Sequence, residues 1–71
     1  MKVYRYYCLY RPPMPGAIPK HDLVQIASFD YRQSFNGIGC WGWAEYSRPL
    51  TEQEITDYEL AESRNNPLEH S

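Results

Sequence analysis

From Ser28 to Ser47, apolar and polar positions alternate with a period of two on both sides of Phe35-Asn36-Gly37-Ile38. Asn-Gly supplies two residues that tolerate positive φ, so the pattern predicts a hairpin closed by a type I′ turn. A two-residue loop pairs Phe35 with Ile38, Gln33 with Cys40, Tyr31 with Gly42, Phe29 with Ala44 and Ala27 with Tyr46. One face then holds Phe29, Tyr31, Phe35, Ile38, Cys40, Ala44 and Tyr46 and reads as core. The other holds Ser28, Asp30, Arg32, Trp41, Trp43 and Glu45, polar positions that also carry both tryptophans. Only an odd-length loop or a bulge inverts these faces, because side chains alternate at every residue of a strand.

Upstream, Lys2 to Tyr10 lacks Gly and Pro and is rich in tyrosine, which predicts another strand. Its faces, Tyr4/Tyr6/Cys8/Tyr10 and Val3/Arg5/Tyr7/Leu9, are both substantially apolar, as for a strand inside a sheet. Arg11 to Ile18 and Pro19 contain four prolines, which remove backbone donors and end the strand, with Pro15-Gly16 suited to the centre of a type II turn. The second and third strands are expected over Leu23–Phe35 and Ile38–Arg48. Downstream, Thr51 fits an N-cap, Glu54 completes a capping box and Leu50 can staple onto Ile55. A helix is expected from Glu52 to Ser63, with Ile55, Tyr58 and Ala61 as its apolar stripe, ended by Asn65-Asn66-Pro67. The pattern predicts a small α+β domain, a three-stranded mainly antiparallel sheet with one C-terminal helix packed on a face, in the order β-β-β-α. The helix should meet Phe29, Tyr31, Ala44 and Tyr46 through Ile55 and Tyr58. Residues 1–64 form the domain and 65–71 a flexible tail.

Length and charge narrow the function classes. Seventy-one residues make one domain with little room for an enclosed pocket, which argues against an enzyme. The net charge of −2 is uneven: residues 1–48 net +3 and residues 49–71 net −5. That is a solvated acidic helix beside a mildly basic sheet, without the positive excess of a nucleic-acid binder. No apolar run approaches the ~20 residues that span a bilayer, and the first residues lack a secretory core, so the expected location is the cytoplasm. Cys8 and Cys40 are too few for a disulfide framework and are expected as buried thiols there; a Cys8–Cys40 bridge would need the first and third strands side by side.

Candidate chemistry centres on aromatic residues. Trp41 and Trp43, with Arg32 and Asp30 near them across the hairpin, have the composition of an interface hot spot, and Arg32 can stack on an indole. The plainer alternative is that another segment covers that face. Tyr4, Tyr6 and Tyr10, with Arg5 and Arg11, could stack single-stranded nucleic acid, which the charge balance disfavours. Metal ligation would draw on Cys8, His21, Cys40 and His70, none paired at ligand spacing, and no local group activates either thiol. Arg11-Pro12-Pro13-Met14-Pro15 offers a P-x-x-P segment that can dock elsewhere or pack on the chain's own tyrosines.

The set Tyr4-Arg5-Tyr6, Arg11 to Pro19, Phe29-Asp30-Tyr31-Arg32, Trp41 to Tyr46, Arg48 to Thr51 and Tyr58-Glu59-Leu60 resembles small proteins of unknown function from Firmicutes and related gut bacteria, often on integrative elements or phages. The resemblance runs from Met1 to about Leu60. It implies a bacterial accessory protein of a mobile element and assigns no site residue. Together these readings predict a non-enzymatic protein–protein interaction module, with a homodimer as one form of it, with Arg32, Trp41 and Trp43 as its patch and no cofactor. The alternative is single-stranded nucleic-acid binding through the tyrosine strand.

Overall fold

A strand that is apolar on both faces needs neighbours on both edges, and β1 (Lys2–Cys8) has them. The computed structural model describes residues 2–14, 16, 18–35 and 37–69, the side chains of Phe35 and Glu69 excepted. On one edge β1 pairs antiparallel with β3 (Ile38–Tyr46), setting Tyr4 opposite Tyr46, Arg5 opposite Glu45, Tyr6 opposite Ala44 and Tyr7 opposite Trp43. β2 (Leu23–Phe35) pairs with the far side of β3, and β4 (Leu60–Glu62) pairs with β1, giving the order β2-β3-β1-β4. The short β5 (Leu68–Glu69) adds to β1 at Lys2 and Val3.

The fold is α+β and antiparallel, but the main sheet has four strands rather than three, because the helix is shorter than its pattern predicted. α1 spans only Glu52–Asp57. Its start is as expected: Glu54 N–H donates to Thr51 Oγ1 and Thr51 N–H to Glu54 Oε1, the two halves of a capping box. Its end is set by tertiary demand. Glu59 takes a φ of 55°, which reverses the chain and brings Leu60 into the sheet opposite Cys8. Positive φ costs a non-glycine residue about 1–2 kcal/mol. The backbone partners that β4 gives to β1, and the burial of Leu60, offset that cost.

The residues expected as a tail continue along the same edge of β1. Ser63 N–H donates to Arg5 O (3.0 Å), and the Asn66 amide acts as one more strand residue. It accepts from Arg5 N–H (2.8 Å) and donates to Arg5 O (2.9 Å). His70 and Ser71 of that segment lie outside the described residues.

The hairpin begins in the expected register, with Phe35 opposite Ile38 and Gln33 opposite Cys40. Gly37 has a φ of +81°, while Asn36 lies outside the described residues. The next pair is Ser28 with Gly42, followed by Ala27 with Trp43 and Ile26 with Ala44. From Gln33 to Ser28, β2 thus takes three residues more than β3. Three is odd, so the side chains from Ser28 to Gln25 change face, and a second shift of one residue between Gln25 and Leu23 returns Leu23 to the core side. The expected pairs Tyr31/Gly42, Phe29/Ala44 and Ala27/Tyr46 do not form. The obstacle is at Gly42, where a Cβ would run into the Ala27 carbonyl oxygen and sit 2.7 Å from Pro13 Cδ. The proline segment lies against Gly42, and Tyr31 is 65% exposed. Gly16, at φ +91°, provides the turn within that segment, and its neighbour Pro15 lies outside the described residues.

The core lies between α1, Leu50, Ile18 and one sheet face. Tyr6 and Tyr46 fill its centre, fully buried and edge to face at 6.0 Å. Their hydroxyls are satisfied: Tyr46 Oη donates to Pro19 O (2.6 Å) and Tyr6 Oη accepts from Leu50 N–H (2.9 Å). Burial pushes both phenols above their usual titration range. Ile55 and Tyr58 pack on this cluster, which contains Ala44 and Tyr46; Phe29 and Tyr31 are absent from it, and Ile26 and Leu23 take that place.

Candidate interaction surface

The face of the sheet turned away from α1 is built by alternation from Val3, Arg5 and Tyr7 of β1, Trp41, Trp43 and Glu45 of β3, and Ala27 and Phe29 of β2. Trp43 is its hub. Phe29 meets the indole edge to face at 5.3 Å and Tyr7 does so at 6.5 Å. The Arg5 guanidinium lies 4.4 Å from the ring centroid. Arg5 also donates from Nε (2.9 Å) and Nη2 (2.7 Å) to Glu45 Oε2.

Glu45 is only 3% exposed, and that guanidinium is its ion-pair partner. The pair fixes the geometry of the cluster: the carboxylate holds the guanidinium over the indole. A cation–π contact of this kind contributes about 0.5–2 kcal/mol. Val3 and Tyr7 are buried beneath these longer side chains.

The three patch residues expected from the sequence share this face but not one role. Trp43 is a packed, half-buried member of the cluster. Trp41 is half-buried two residues along β3, and its indole makes no hydrogen bond or ring contact among the described residues. Arg32 is exposed and lies over Gly39, where a Cβ would sit 2.8 Å from its Nε. The cation on the tryptophan is Arg5, not Arg32. Sequence reasoning put Arg5 on the correct face of β1, and the signal it lacked was the pairing of β1 with β3, which sets Arg5 directly opposite Glu45.

The tyrosine strand is divided by the same alternation. Tyr6 has no face open to a base, Tyr4 packs partly against the core, and Tyr10 lies beyond β1 at 67% exposure. They form no continuous stacking platform. The proline segment is also engaged internally: Arg11 pairs with Glu59, and Pro13 is buried against Gly42.

Cys8 and Cys40 are buried free thiols, and desolvation pushes Cys8 up to about 11 and raises Cys40. Such thiols stay protonated near neutrality and are poor nucleophiles. His21 is exposed beside Asp22, and His70 lies outside the described residues. Among the described residues no three His, Cys, Asp or Glu side chains converge as a metal site, and no helix is long and apolar enough to cross a membrane.

Comparison with known proteins gives a consistent result. The model of the family described as Defence against restriction A C-terminal matches residues 1–65. The chain is 33% identical over 57 residues to Defense against restriction protein A of Escherichia phage P1. That alignment covers 80% of this chain and 9% of the phage protein, so the chain spans about a tenth of that relative's length. No solved structure matches. The matches carry the phage association implied by the sequence resemblance and say nothing of Firmicutes or gut bacteria.

Proposed function

Because this chain belongs to the Defence against restriction A C-terminal family, we propose that it is a non-enzymatic protein–protein interaction module serving a phage in defence against restriction. The observation that carries this reading is the extent of the match: residues 1–65 include all of β1 to β4 and the whole aromatic face. The face supports an interaction role on chemical grounds. Trp41 and Arg32 are the residue types that dominate interface energetics, and they stand beside a cluster already held rigid by Arg5 and Glu45. A rigid surface loses little conformational entropy when a partner docks.

The test compares plating on restricting and non-restricting hosts for a phage encoding this chain, for its deletion, and for Trp41→Ala. Deletion should lower plating only on the restricting host, and Trp41→Ala should reproduce that loss while the purified variant keeps its melting temperature. Equal plating of the deletion on both hosts overturns the role in defence. A loss on deletion without a loss for Trp41→Ala overturns the assignment of this face.

A further inference from the structure

We propose that Cys8 and Cys40 are a redox pair, two thiols that a two-electron oxidant closes into a disulfide joining β1 to β3 within one folded chain. This stands apart from the proposed role in defence and uses the core face of the sheet rather than the aromatic one. A bridge between these residues requires their strands to be neighbours, and β1 and β3 pair directly. Both thiols are free and buried.

The register brings the two together. Tyr6 faces Ala44 and Tyr7 faces Trp43, so Cys8, the last residue of β1, continues the ladder opposite Gly42. Cys40 stands two residues from Gly42 and therefore on the same face of β3. The two cysteines are thus diagonal neighbours across an antiparallel pair. Gly42 adds no side chain between them, and Pro13 packs over that glycine. The Cys40 sulfur lies beside the Gly42 N–H, which brings it toward the level of Cys8, and charge on Cys40 disfavours charge on Cys8. A disulfide needs its Cα atoms within about 7 Å of each other. Cys8 sits where β1 ends and the chain leaves the sheet for the proline segment, so its backbone has the freedom to close that spacing.

The step is a thiol oxidation. With diamide, an azodicarboxamide, one thiolate adds to the N=N bond and the distal nitrogen takes up a proton. The second thiolate attacks the sulfur of the new S–N bond and forms the S–S bond. The departing nitrogen takes up the second proton, so the thiols lose two electrons and two protons and the azo group becomes a hydrazine. Burial keeps both thiols protonated near neutrality, so the reaction is slow there and quickens as the pH rises. The finished bond closes the proline segment and β2 into one covalent ring, which restricts the unfolded chain.

The test treats the full chain with diamide, without denaturant, at mildly acidic and mildly alkaline pH, and follows intact mass and melting temperature. The wild type should lose the mass of two hydrogen atoms, faster at the alkaline pH, and its melting temperature should rise. Peptide mapping should join the segments that contain Cys8 and Cys40, and dithiothreitol should restore both mass and melting temperature. C8S and C40S, checked for folding by circular dichroism, should show no such loss.

A native wild type that keeps its mass even at alkaline pH overturns the proposal. So does cross-linking between chains in place of the loss of two hydrogens, or a bridge that forms only in denaturant. A bridge that lowers the melting temperature belongs to a distorted chain and overturns it as well.

Discussion

The two faces of the sheet are both packed, by different means. On one, Tyr6 and Tyr46 are covered by other elements: α1, Leu50 and the chain around Ile18. Their polar tips reach backbone groups at Pro19 and Leu50, so the face is closed. On the other, Trp43 is covered by side chains of the same sheet, with Arg5 above it and Glu45 holding Arg5. A face covered by whole elements opens only when the fold does. The aromatic face is held by its own side chains, tied together by the Arg5–Glu45 ion pair.

Truncation should show the contrast first. Tyr46→Ala removes a fully buried ring and should cost about 4 kcal/mol in chemical denaturation. Tyr46→Phe keeps the ring but leaves the Pro19 carbonyl without its donor, for about 1–3 kcal/mol. A cost for Tyr46→Ala no larger than that of Trp41→Ala would dissolve the distinction between the faces.

On the aromatic face, Arg5→Met should cost about 3 kcal/mol by stranding the Glu45 carboxylate. Adding Glu45→Leu should recover most of the loss, and a denaturation double-mutant cycle measures the coupling. Absence of coupling would mean that the pair does not hold this face.

Gly42→Ala tests the close approach beside the bulge. Its methyl would meet Ala27 O and Pro13, so about 2 kcal/mol should be lost. Gly37→Ala, with open space but positive φ, should lose about 1 kcal/mol. Equal losses would mean that the close approach at Gly42 costs nothing beyond its backbone angle.

The smallest effect concerns the cover of the closed face. Arg48 donates twice to Glu54 (2.9 Å each), and this pair, with the Thr51 N–H, holds the Glu54 carboxyl down to about 2. In the unfolded chain that group titrates near ~4.3. The folded state therefore binds fewer protons, and the stabilisation is fully present above ~4.3 and lost as pH falls toward 2. Melting temperature followed from pH 6 to 2 should fall more for the wild type than for Arg48→Met. Parallel curves would show that the pair contributes nothing.

The elements readable in the sequence were those with local causes. Thr51 and Glu54 mark the start of α1 because a capping box closes within four residues. Lys2 to Tyr10 reads as an internal strand because both its faces are substantially apolar, and Lys2–Cys8 forms it. The end of α1 was not legible: Ile55, Tyr58 and Ala61 keep a helical period, while the open edge of β1 draws Leu60 and Ala61 into β4. Asn66 gave no sign of its part, since an amide that bridges Arg5 acts across 61 positions.

Of the candidate site, the sequence by itself determined which residues alternate: Trp41, Trp43 and Glu45 share a face of β3 whatever lies beside it, because a strand's period is two. Only the tertiary structure decided that Arg5 rather than Arg32 covers Trp43, and that Phe29 joins the tryptophan rather than the core. Both follow from contacts between distant segments. The pairing of β1 with β3 brings Arg5 and Glu45 together, and the three-residue bulge beside Gly42, where Pro13 packs, turns the middle of β2 over.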